Sequence, residues 1–282
     1  MLEAGIDELR RLGLEPLVRD DVAARWRFVA GSDDRRGEEL RNALGDASVA
    51  GVFVARGGYG LTPLLSGLDA LPRRPCTILG ESDATALGCW LLTRGVGWLH
   101  GPMVAGTLRL GPSGYDEPSL RAALFDGGGE MTPAGTTALH EGTAEGVLWG
   151  GCLTLLAALC GTPWMPELGD TILAVEDVGV KPYQVHRMLV QLRDAGALRG
   201  VRGVILGDFS ACVQHPDQGY DIADVIAEFL RSALGPVPVS LGWPIGHAPA
   251  PHLTLPMGAR AHLSVTAPAG ARLSWRRPPE TS

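Results

Sequence analysis

Short runs of residues apolar on both faces alternate along this 282-residue chain with segments of helical periodicity, and that alternation leaves few folds open. The runs fall at residues 49–55, 76–79, 172–175, 203–206 and 237–240. Helices are predicted at 33–44 (capped by Ser32 or Asp33), 83–93, 182–195 and 222–234, with a short one after Gly60. A strand apolar on both faces has to be covered on both, which is the condition of a parallel sheet between helices. The expected class is α/β. A doubly wound sheet normally opens on a strand, yet Leu2, Ile6, Leu9 and Leu12 recur at helical spacing up to Gly13, so the first strand is apparently missing. A strand is predicted next at 15–18. Residues 112–141 are richer in Gly, Pro and Thr, with one helical patch at 120–125, and the domain boundary is expected there. That gives an N-terminal domain at 1–125, a linker at 126–144 and a C-terminal domain at 145–282. Residues 261–275 read as a β-hairpin and 276–282 as a loose tail.

Composition narrows the functions. With 24 basic and 31 acidic residues the net charge is −7, and no Lys/Arg cluster exceeds a pair, so neither a nucleic-acid groove nor binding to an anionic membrane is expected. The uncharged stretch 146–165 contains Gly150, Gly151, Gly161 and Pro163. Its helical part, 151–160, would span only about 15 Å, so it reads as a core helix. The N-terminus lacks the basic and apolar regions of a secretory signal. Five cysteines without metal-ligand spacing read as buried, reduced thiols. A cytoplasmic protein without metal or cofactor is expected.

In Gly80-Glu81-Ser82-Asp83 an apolar strand passes straight into a helix. Such an elbow exposes the Ser82 hydroxyl at the carboxyl end of the sheet, beside the amides of a helix start. Ser82 or Asp83 as a plain helix cap is the competing reading. Arg56-Gly57-Gly58-Tyr59-Gly60 is a second strand-to-loop passage, whose glycines let the backbone approach a phosphate, an oxyanion or a carboxylate; it lacks the Lys and spacing of a P-loop. Arg56 could bind a substrate carboxylate or form a structural ion pair. A serine nucleophile needs a base and an orienting acid. His186 falls in a predicted helix and His262 in a predicted strand, while His100, His140, His215 and His252 lie in loops that pattern does not separate. His247 sits in a rigid Pro/Gly loop after a strand, where α/β folds gather functional side chains. Glu176-Asp177 ends a strand in the same way, as an acid for the site or as a helix cap.

These segments, with Gly80-x-Ser82-Asp83-x-Thr85-Ala86, Gly101-Pro-Met103, Leu148-Trp-Gly-Gly151, Gly161-Thr-Pro-Trp-Met-Pro166 and Gly246-His247 in order, strongly resemble the LD-carboxypeptidases, serine peptidase family S66. The resemblance spans nearly the whole chain. It implies Ser82 as nucleophile, Glu176 as acid and His247 as base, a flavodoxin-like N-terminal domain, a C-terminal domain containing a small β-barrel, and a homodimer. The implied reaction removes D-Ala from muropeptide tetrapeptides through an acyl-enzyme during peptidoglycan recycling. The backbone N–H groups of Asp83, Gly57 and Gly58 would hold the oxyanion, and Arg56 and Tyr59 would contact substrate. The family usually begins with a strand and an Ala-Pro-Ser-Gly loop absent from this chain, and Cys152 stands where many members have a polar residue. Two rivals share the scaffold: a microcin-immunity-like amidase cleaving peptide-nucleotide amides, and a catalytically inactive muropeptide- or nucleotide-binding module.

Overall fold

Two sheets organise the protein, whose computed structural model describes residues 1–68, 76–209, 211–213, 219–248 and 251–277. Helix α1 (Leu2–Arg11) packs Leu9, with Leu12 just past its end, into a small core with Leu79, Leu99, Leu108 and Tyr115. Helix α2 (Asp33–Gly45) starts where the Ser32 hydroxyl accepts from the Arg35 amide, with Asp33 and Asp34 at the electropositive end of the helix. Strands β1 (Gly51–Phe53) and β2 (Thr77–Gly80) are parallel neighbours. Helix α3 (Ala84–Leu92), entirely buried, leads from β2 to β3 (Trp98–His100), which is parallel to β2. The short helix expected after Gly60 is a 3-10 segment, Thr62–Gly67.

Helix α4 (Glu117–Arg121) leads into the second sheet. Its strands are β4 (Gly128–Met131), β5 (Thr137–His140), β6 (Gly142–Cys152), β7 (Thr171–Glu176), β8 (Val201–Leu206), β9 (Val239–Leu241), β11 (Arg260–Thr266) and β12 (Gly270–Arg276), in the order β4-β12-β11-β6-β7-β8-β9-β5. Four consecutive strands of this order, β6 to β9, are parallel, and helices α5 (Leu153–Leu159), α6 (Pro182–Asp194) and α7 (Ile222–Leu234) connect them. At one end of this order Thr136, beside β5, accepts through its Oγ1 from the Ala271 amide of β12 at 3.0 Å. The sheet therefore curls toward itself, although β5 and β12 form no strand ladder among the described residues. Strand β10 (Leu255–Met257) leaves the second sheet and pairs antiparallel with β3, so the first sheet is completed by the C-terminal part of the chain.

Three expectations change. Residues 15–18 form no strand: Leu17 is 77% exposed, and no described segment takes up the backbone groups there. Strand propensity in a short segment does not supply a pairing partner. Residues 126–144, expected as a linker, hold β4 and β5 at the two ends of the second sheet, because pairing with β12 and β9 imposes a conformation that their Gly/Thr-rich sequence does not itself prefer. In the 146–165 stretch the helix expected over 151–160 is present as α5, Leu153–Leu159, and what changes is that residues up to Cys152 belong to strand β6. In β6, Gly150 has φ +136° and Gly151 φ +129°, and a β-carbon on Gly150 would overlap the Ala174 carbonyl of β7. Gly150→Ala is accordingly expected to cost roughly 2–5 kcal/mol from backbone strain and overpacking together, read as a fall in the thermal midpoint. The end of the expected loose tail, residues 278–282, lies outside the described residues.

Candidate active site

The parallel strands β2 and β7 end at the residues that chemistry would need. At the end of β2 the chain turns through Glu81 and Ser82 into α3, and Ser82 has φ +59°, the left-handed region that costs a non-glycine residue about 1–2 kcal/mol. Amides at Ala84 and Thr85 donate back to the Glu81 and Ser82 carbonyls, closing the turn. A β-carbon on Gly57 would sit 2.9 Å from Ser82 Cβ and 3.0 Å from its Oγ, so the glycine lets the 56–60 loop lie directly against the hydroxyl. Among the described residues, the amides of Gly57, Gly58 and Asp83 donate to no protein acceptor. Asp83 does not cap its own helix. Its Oδ2 accepts from the Leu61 amide at 2.9 Å, and burial pushes its pKa up.

Glu176, the last residue of β7, is fully buried, and its Oε2 lies 2.7 Å from His247 Nδ1. Gly246 makes this approach possible: it has φ +70°, and a β-carbon there would overlap the Glu176 carboxyl. The other carboxylate oxygen, Oε1, stands 3.7 Å from Nε2 of His100, also fully buried, an ion-pair distance rather than a hydrogen bond. Burial opposes charge on Glu176, but the two histidines outweigh it and hold the carboxyl down at about 2. In return the bond to Glu176 raises the His247 pKa against the opposing effect of burial. The sign of the pH dependence follows. The stability contributed by Glu176 is present above its ordinary 4.5 and is lost as pH falls toward 2, while that contributed by His247 is complete below 6.5 and is lost as pH rises through its elevated folded value. Chemical denaturation across pH 2–5 is expected to show the first loss, and Glu176→Gln to flatten it.

The remaining predicted residues divide clearly. Asp177 binds the start of α5, its Oδ2 accepting from the Thr154 amide at 2.8 Å and the Thr154 hydroxyl at 2.7 Å. It is the structural member of the Glu-Asp pair. Cys152 is buried, and its amide donates to Thr85 Oγ1 at 3.0 Å, which ties the end of β6 to the first turn of α3. Arg56 is exposed, and among the described residues it has no carboxylate partner, so the ion pair considered for it is not found there. Tyr59 is exposed, its ring centroid 5.8 Å from that of Phe28. His186 lies in α6 and His262 in β11. His100 and His140, expected in loops, end β3 and β5, and His215 lies outside the described residues. Sequence pattern did not single out His100. The signal was a histidine ending an apolar run, Trp98-Leu99-His100, just as Glu176 ends β7. Ser82 and His247 share no hydrogen bond. No described group of His, Cys, Asp and Glu is arranged to hold a metal ion, and no described helix is long and apolar enough to cross a membrane.

The families and structures to which the chain is similar agree in kind. Residues 1–101 match the family model described as the LD-carboxypeptidase N-terminal domain, and residues 145–263 match that of the LD-carboxypeptidase C-terminal domain. A murein tetrapeptide carboxypeptidase of Pseudomonas aeruginosa is 32% identical over 98% of this chain and 90% of its own length. The crystal structure of a muramoyltetrapeptide carboxypeptidase from Oxalobacter formigenes superposes with a TM-score of 0.86 at 33% identity, covering 99% of this chain and 95% of that one. A microcin self immunity protein superposes equally well, TM-score 0.86 over 98% and 90% of the two chains, but at 22% identity, which shows the fold alone.

Proposed function

The chain belongs to the LD-carboxypeptidases, serine peptidase family S66, and we propose that Ser82, Glu176 and His247 form the triad with which it releases D-Ala from muropeptide tetrapeptides. It is a hydrolase of the serine carboxypeptidase type. The observation that carries the triad is the 2.7 Å bond from buried Glu176 to His247, whose neighbour Ala248 is joined through His252 to Glu81, the residue before the strained Ser82 turn. With Nδ1 donating to Glu176, His247 Nε2 is the lone-pair nitrogen, able to take the Ser82 proton as Oγ attacks the carbonyl carbon of the L-D peptide bond. The oxyanion accepts from the free amides of Asp83 and the Gly57-Gly58 loop. His247 then gives its proton to the departing D-Ala amine, and water, deprotonated by the same nitrogen, cleaves the acyl-enzyme at Ser82. Arg56, exposed in that loop and without an ion-pair partner among the described residues, is suited to bind a substrate carboxylate, and the exposed Tyr59 ring to contact the peptide.

In this reading Ser82 comes from the N-terminal domain, 1–125, and Glu176 and His247 from the C-terminal domain, 145–282. The protein works as a homodimer in the cytoplasm, where its five free thiols remain reduced. Analytical ultracentrifugation tests the dimer. D-Ala release from a muramoyl tetrapeptide tests the reaction: a protein that binds the peptide without releasing D-Ala would instead be an inactive binding module. The general base must be unprotonated, so kcat/KM is expected to fall on the acid side with a midpoint above the ordinary histidine value of 6.5.

A further inference from the structure

Next to the nucleophile turn lies a second buried acid-base pair that the reaction above does not use. Glu81 precedes Ser82, and its Oε2 lies 3.4 Å from His252 Nδ1, the two side chains being 4% and 3% exposed. The same Nδ1 is 3.2 Å from Thr107 Oγ1, and the other ring nitrogen, Nε2, is hydrogen-bonded to the Ala248 carbonyl, one residue beyond His247. A carbonyl only accepts, so Nε2 carries a hydrogen. A neutral ring would then turn a bare Nδ1 lone pair toward a carboxylate. At 3.4 Å the contact is an ion-pair distance in which Oε2 makes no hydrogen bond, and the Thr107 hydroxyl is the group within hydrogen-bond reach of Nδ1. Burial opposes charge on His252, yet Glu81 and the Ala248 carbonyl raise its pKa on balance.

The ring acts from a fixed point. The His252 amide donates to the Gly114 carbonyl at 3.1 Å, and its carbonyl accepts from the Asp116 amide at 2.8 Å. Tyr115, between them, is buried and donates its hydroxyl to Glu8 of α1 at 2.6 Å. From that anchor His252 reaches Glu81 on one side and the backbone of the His247 loop on the other. We propose that Glu81 and His252 are positioning residues which set the loop carrying His247 against the Ser82 turn, an inference that rests on the triad reading. Neither residue touches the reacting atoms. They join two elements that no direct Ser82–His247 hydrogen bond joins.

The test is steady-state D-Ala release from a muramoyl tetrapeptide by full-length Glu81→Ala, Glu81→Gln, His252→Ala and the Glu81→Ala/His252→Ala double variant, with Ser82→Ala alongside. A misplacement of the base by a fraction of an ångström is expected to lower kcat by roughly 10–100-fold in both alanine variants, with KM within about threefold of the parent. The double variant should cost about as much as one single variant, because both break one link. Glu81→Gln keeps the shape and can donate its amide to a neutral Nδ1, so it should recover most of what Glu81→Ala loses. If His252→Ala does not fold, the Glu81 pair alone decides. Parent-like kcat in a folded Glu81→Ala, or losses that are additive and not recovered by Gln, would overturn the proposal. Should Ser82→Ala itself stay active, it is the triad reading that fails.

Discussion

Ser82→Ala is expected to release D-Ala at no more than about one ten-thousandth of the parent rate while keeping the parent's fold and melting behaviour. In the proposed mechanism this oxygen forms the acyl-enzyme, so without it residual turnover would come from the amides and from substrate binding. Stability should hold, because the hydroxyl makes no hydrogen bond among the described residues and alanine also relieves none of the φ +59° strain. Mass spectrometry supplies a second readout: a serine-directed phosphonate should add one equivalent to the parent and none to the variant. Turnover within tenfold of the parent would show that another nucleophile does the work.

Glu176→Gln is expected to lower kcat by roughly 1,000- to 10,000-fold, with a smaller change in KM. The substitution keeps the shape and removes the charge. His247 then loses the partner that raises its pKa, and His100 loses the anion 3.7 Å away. A structural defect alone would lower activity equally at every pH. Loss of the charge should also move the acid limb of kcat/KM to lower pH, because a less basic His247 stays unprotonated further down. An unmoved limb together with kcat within tenfold would remove Glu176 from the proposed triad.

The local sequence was sufficient wherever an element owes its form to its own residues. Helix α7 runs over the 222–234 that periodicity predicts, and α2 begins at the Ser32 cap. The strands β2, β7 and β8 fall within one or two residues of their apolar runs, because strands that must be apolar on both faces are visible in composition alone. The carboxyl ends of the strands were legible too, so Ser82 after β2, Glu176 ending β7 and His247 after β9 could be singled out as candidates, as could the Gly57-Gly58 loop after β1. Burial and pairing decided the rest. Nothing in residues 15–18 shows that Leu17 will face water with no strand beside it, and nothing in 126–144 shows that β12 and β9 will recruit it. Which member of Glu176-Asp177 faces the histidine was settled by the alternation of side chains at the end of β7 and by the position of α5. His100 and His252 looked alike as loop histidines. Only the convergence of the ends of β2, β3 and β7 with residues 246–248 and 252 puts one beside Glu176 and the other between Glu81 and Ala248. A sequence carries the periodicity and chemistry of each segment, but contacts between residues 70 to 170 positions apart arise when the sheets bury their faces together, and those contacts set the charge on Glu176 and the basicity of His247.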